Sequence, residues 1–267
     1  MLLCVWRCSE QYIDLLTTAE NRTCATLTDD LRLIPVTTTV PVCRTVTTLY
    51  GDLRAELLGS RQVDISKSVT RFFDELFALV VRRHVFGITA ADGRPDADEV
   101  EHAACVGSHR RSLQPDPLDG VDERFTKDVA RAINTSRALL DALRLASDTV
   151  TAATDDWATS TGCRHALTRL RLCALCDGRV DWNSLRPCRG LCVNVARGCL
   201  RSVAVELGAR WEKFVDGLAR LVVRSHGPHD LEFVAKSLDG TVADGVLRVI
   251  RNAPHFYLQV RTVAFSL

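Results

Sequence analysis

The chain has 267 residues, 46% hydrophobic and 25% charged, which describes an ordinary soluble globular protein with ample core. Its 34 Lys and Arg against 33 Asp and Glu leave a formal charge of +1, so no global field draws in nucleic acid or a membrane, and 6% aromatic content argues against base-stacking platforms. No apolar run approaches the ~18 residues that span a bilayer, and Met1-Leu-Leu-Cys-Val-Trp-Arg7 is too short and too soon charged to read as a signal peptide.

Taken in chain order, the pattern is helical. Val46, Leu49, Tyr50, Leu53 and Leu57 recur at helical spacing. A weak strand signal at 36–46, rich in Thr and Val, is broken by Pro35 and Pro41. Val69, Phe72, Phe73, Leu76, Phe77, Val80 and Val81 form a wide apolar stripe, with Arg71, Asp74, Glu75 and Arg82 opposite. The segments 87–95 and 114–120 read as turn-rich loops. From Lys127 to about Ala153, Val129, Ile133, Leu140, Leu143 and Val150 mark one face of a long helix. Leu207, Trp211, Phe214, Val215, Leu218, Leu221 and Val222 give the cleanest stripe of all. After Ser225-His-Gly-Pro-His229, with Pro228 suited to a first helical turn, a last helix runs through Leu231, Val234, Leu238, Val242 and Ile250. The expected fold is an all-α bundle of one domain over 1–267.

Cysteine use is the most informative feature. Six of eleven cysteines crowd into 163–199: Cys163, Cys173, Cys176, Cys188, Cys192 and Cys199. Cys173-x2-Cys176, an eleven-residue gap and Cys188-x3-Cys192 fit a four-thiolate zinc site in an intracellular helical protein. Cys163 and Cys199 flank that group, Cys4, Cys8 and Cys105 lie far from it, and Asn21-Arg-Thr23 and Asn134-Thr-Ser136 are glycosylation sequons. The balance favours an oxidised disulfide frame, with no metal and no cofactor. A different secreted cysteine-rich binding module is the other alternative. Pairing of Cys24 and Cys43 stays open: they are free or joined to each other.

Nothing points to catalysis. There is no G-x-S-x-G, H-E-x-x-H, Walker loop or G-x-G-x-x-G. His84, beside Arg82 and Arg83 at a helix end, reads as a complement to the helix dipole. Arg82-Arg83 and His109-Arg110-Arg111 read as solvated helix ends and loops rather than as contacts for sulfated glycan or acidic lipid.

The spacing Cys163-(x9)-Cys173-(x2)-Cys176 … Pro187-Cys188-(x3)-Cys192-x-Asn194-Val195-(x2)-Gly198-Cys199-Leu200, with Trp211 following, resembles the core protein of a glypican. Leu49-Tyr-Gly-Asp-Leu53, the Phe72-Phe73 helix and Phe125 through Val150 resemble the family's early helices, and the likeness runs from about Cys8 to Ile250. It implies an elongated, disulfide-linked all-helical core of a GPI-anchored heparan sulfate proteoglycan on the extracellular face of the plasma membrane. Such proteins bind secreted signals of the Wnt, Hedgehog, BMP and FGF classes and their receptors. No nucleic acid is expected as partner.

The same resemblance implies disulfides Cys163–Cys199, Cys8–Cys176 and Cys4–Cys173, and leaves Cys105, Cys188 and Cys192 unpaired. Asn21 and Asn134 are the expected N-glycan sites. No Ser is followed by Gly, so no glycosaminoglycan attachment site is expected in 1–267, and 259–267 does not read as an anchor signal. The chain is thus expected to be an incomplete glypican core, with attachment and anchor regions encoded outside it.

Overall fold

The computed structural model describes residues 2–30, 39–85, 105–159, 161–172, 189–199, 201–227 and 230–265. Among these, no strand occurs. The helices are α1 (Leu2–Ala25), α2 (Thr39–Leu58), α3 (Ile65–Val80), α4 (Val121–Thr159), α5 (Thr161–Leu172), α6 (Arg189–Cys199), α7 (Arg201–Arg224) and α8 (Leu231–Phe265). Wide π turns, Thr26–Asp30 and Val81–Val85, prolong α1 and α3, and a helical stretch at 105–109 tightens into the turn Arg110–Ser112. The all-α, disulfide-linked class is the expected one.

Local chemistry sets the boundaries. The weak strand signal before Val46 yields to α2, because Pro41 is only its third residue and a first-turn backbone nitrogen has no helical acceptor to lose. Gly59, at φ +67°, ends that helix, and the Ser60 amide donates to the Ala55 carbonyl at 3.1 Å. Asp64 caps α3 by accepting from the Lys67 amide at 3.1 Å. α4 is longer at both ends than its apolar periodicity suggests, and α8 runs on past Pro254. The loop expected at 87–95, the interval between Cys176 and Cys188, and Pro228 lie outside the described residues.

The sequence reads as one domain. Backbone contacts group it into two compact units, each discontinuous in sequence: Trp6–Leu140 with Val223–Leu267, and Met1–Val5 with Asp141–Val222. The contiguous hydrophobic core belongs to the first, larger unit. Phe72, Phe73 and Phe125 form its aromatic centre, with ring centroids 5.1 to 6.5 Å apart, and Phe77 meets Phe256 at 5.7 Å. Around them Leu49, Tyr50, Leu53 and Leu57 of α2 and Val234, Leu238, Val242 and Val246 of α8 are buried in the same core. Gly245 of α8 lies over this centre, where an added Cβ would sit 3.4 Å from the Phe73 ring, at van der Waals contact.

The second unit is built differently. Its α7 carries the cleanest apolar stripe in the sequence, yet Leu207, Trp211, Phe214 and Leu218 are only half-buried, and Val215 and Val222 are exposed. Trp211 and Phe214 stack on each other, centroids 5.4 Å apart.

Candidate functional site

The cysteine-rich segment forms a helical hairpin. Helical spacing puts Cys163, Ala166, Leu167 and Leu170 on one stripe of α5, and Cys192, Val195, Ala196 and Cys199 on one stripe of α6. These eight positions are the half-buried ones, while Arg164, His165, Thr168, Arg169, Val193, Asn194 and Arg197 face outward. A disulfide joins Cys163 to Cys199, with Cα atoms 5.5 Å apart, so the start of α5 is tied to the end of α6. Closing a span of 36 residues contributes about 3–4 kcal/mol on the chain-entropy account.

A second disulfide, Cys24–Cys43, ties the end of α1 to the start of α2, Cα to Cα 5.2 Å, and answers the question the sequence left open. Cys8 carries a free thiol among the described residues, and Cys176, the partner that the resemblance implies for it, lies outside them. Cys8, Tyr12, Leu16 and Ala19 share the face of α1 that packs on the larger core. Cys105 and Cys192 are also free thiols. The Cys105 sulfur lies 3.8 Å from His109 Nδ1, which in turn sits 2.9 Å from the Cys105 carbonyl. The Cys4 side chain, with Cys173, Cys176 and Cys188, lies outside the described residues. With them go the Cys4–Cys173 pair and three of the four thiolates of the zinc alternative.

Both sequons share one arrangement. Asn21 and Asn134 are exposed, the latter despite its buried neighbour Ile133. Their hydroxyl partners are buried against tyrosines. Thr23 Oγ1 donates to the Ala19 carbonyl at 2.8 Å and lies 2.9 Å from the Tyr50 hydroxyl, and Ser136 is hydrogen-bonded to Tyr12. Burial raises both tyrosine pKa values above 10.0, while those hydrogen bonds pull the other way. The middle residue of the first sequon, Arg22, donates to the Ala235 carbonyl at 2.8 Å.

Arginine–carboxylate pairs brace the larger unit. Asp52 accepts from Ser68 Oγ and Arg71 Nη2, each at 2.7 Å, and from Arg61. Glu56 accepts from the Val63 amide at 2.8 Å and from Arg137. Arg110 corrects the sequence reading. Rather than sitting in a solvated loop it is 1% exposed, donating to Asp74 and Asp122 at 2.8 Å each. Gly107 permits this burial, since a Cβ there would stand 2.6 Å from the Asp74 carbonyl oxygen. His84 is exposed in the turn that ends α3, the position a dipole-complementing histidine takes.

Comparison with known proteins agrees with this architecture. The family model described as Glypican matches residues 9–263, which also corrects the expectation that the likeness stops near Ile250. Human glypican-5 is 30% identical over 214 residues, 80% of this chain and 35% of that protein, so the chain spans about a third of the length of that relative. The solved full-length glypican-1 core protein superposes with a TM-score of 0.65 at 21% identity, over 98% of this chain and 57% of that one. Dally-like protein, solved in complex with O-palmitoleoyl serine, superposes with a TM-score of 0.52 at 20% identity, over 96% and 58%. At such identities the solved structures attest the fold alone.

Proposed function

We propose, since this chain belongs to the glypican family, that it is part of the core protein of a cell-surface heparan sulfate proteoglycan, held on the extracellular face by a GPI anchor. It acts by binding secreted signalling proteins of the Wnt, Hedgehog, BMP and FGF classes rather than by catalysis. The family match over 9–263 is the observation that carries this reading. The two disulfides fit an oxidising compartment, and the exposed sequon asparagines fit a secreted glycoprotein.

Among the ligand classes, acylated proteins have the most direct support. The Dally-like structure holds O-palmitoleoyl serine, an acyl ester of the kind a lipidated signalling protein carries. The test is expression of the full-length protein containing this chain in animal cells. Heparinase-sensitive material at the surface, released by phosphatidylinositol-specific phospholipase C and capturing acylated Wnt better than its deacylated form, is the expected result. Cytosolic, glycan-free protein would refute it.

A further inference from the structure

Charge is not spread evenly through this chain. Residues 161–201 contain eight Arg and two Asp, a net +6, so in a chain of +1 the remainder carries −5. The asymmetry is sharpest in the hairpin itself. Neither α5 nor α6 contains a single Asp or Glu, while together they hold Arg164, Arg169, Arg171, Arg189 and Arg197. Arg201 opens α7 just beyond the disulfide.

The side chains of Arg164, Arg169, Arg197 and Arg201 are exposed, and among the described residues none has a carboxylate partner. In the larger unit, Arg54, Arg61, Arg71, Arg110, Arg137 and Arg248 each face Asp or Glu. Guanidinium groups held close together repel one another. The disulfide holds that arrangement in place. Arg164 follows Cys163, and Arg197 and Arg201 each lie two residues from Cys199, so three cations gather at the disulfide-closed end.

We infer that the outer face of the α5–α6 hairpin is a docking surface for a sulfated glycosaminoglycan. Its guanidinium groups supply the forked donors that sulfate and carboxylate accept. Neither helix contains Phe, Tyr or Trp, so the surface lacks the stacking platforms of a single-stranded nucleic-acid site. The choice of glycan among polyanions rests on the proteoglycan reading above, which puts heparan sulfate on the same molecule.

The test uses the oxidised 267-residue protein, with heparin and a defined heparan sulfate oligosaccharide as probes over a salt series. Arg164→Glu with Arg169→Glu, and Arg197→Glu with Arg201→Glu, should each weaken binding about tenfold and flatten its salt dependence. Arg124→Glu with Arg131→Glu is the control. It reverses two exposed arginines of α4 that sit among Asp122, Glu123 and Asp128, and it should change affinity less than about twofold. Glutamine in place of glutamate at the hairpin positions should give a smaller loss of the same order among variants.

No binding by the parent protein, equal loss in the control, or equal affinity for a DNA oligonucleotide or phosphatidylserine vesicles would overturn the inference. It fails separately from the proteoglycan reading. Heparin is bound here in trans, with no attached chain needed, whereas that reading stands or falls on glycan attachment in cells.

Discussion

At the scale of single residues, both sequons join an exposed asparagine to a buried hydroxyl. Thr23 and Ser136 supply the hydroxyls that complete the acceptor sites, yet in the folded chain both are buried against tyrosines. Glycan transfer to Asn21 or Asn134 would therefore have to precede docking of α1. Asn21→Gln should remove one glycan from secreted protein and leave unfolding unchanged within about 0.5 kcal/mol, as for an exposed position. Thr23→Val should remove the same glycan and cost about 1 kcal/mol more, through loss of the Tyr50 contact. Glycosidase mobility shifts and urea titration of the two variants check both halves. Tyr50 also makes stability fall at alkaline pH. Its pKa is raised by burial, so the unfolded phenol releases its proton first as pH climbs through its ordinary 10.0. The contribution is whole below that value and drains away above it. Tyr50→Phe should lose about 1 kcal/mol near neutrality and show a shallower decline above pH 10, with Tyr12 accounting for part of what remains.

At the scale of elements, glycine and cysteine set how closely helices approach. The stretch at 105–109 lies against α3 because position 107 has no side chain, and that approach lets Arg110 reach Asp74. Gly107→Ala should force the two apart and cost roughly 1–3 kcal/mol, read as a lowered thermal midpoint. The Cys24–Cys43 bond closes a 19-residue span, and replacing both cysteines by serine should remove about 3 kcal/mol of stability in denaturant titration. Thiol counting on the oxidised parent should find both residues protected. Helix existence and type were readable from apolar spacing because the 3.6-residue period survives local noise. Burial of Arg110 was not. The tripeptide His109-Arg110-Arg111 has the composition of a solvated loop, and only the carboxylates of α3 and α4, 36 and 12 positions away, reverse that reading.

At the scale of the whole molecule, the two units rest on different physics. The larger has a contiguous apolar core with an aromatic centre. The other offers few deeply buried side chains among its described residues and relies on the Cys163–Cys199 closure. Mild reduction should therefore raise amide exchange across α5 and α6 well before it does so in α3 and α8, whose protection comes from burial rather than from a covalent tie. Uniform loss of protection would show that the units unfold together.

The sequence alone determined the helical class, the core faces of α2, α3, α4 and α8, and the family, because each is written in local periodicity or in cysteine spacing along the chain. The basic segment 161–201 was also legible as a local excess of arginine, hidden only by the near-zero total. Tertiary structure decided the rest. It joined Cys24 to Cys43, turned Cys8 toward the core, buried Arg110 between two carboxylates and left the stripe of α7 half open. Those outcomes depend on which distant residue arrives opposite each side chain, and a pattern of local spacing carries no record of that.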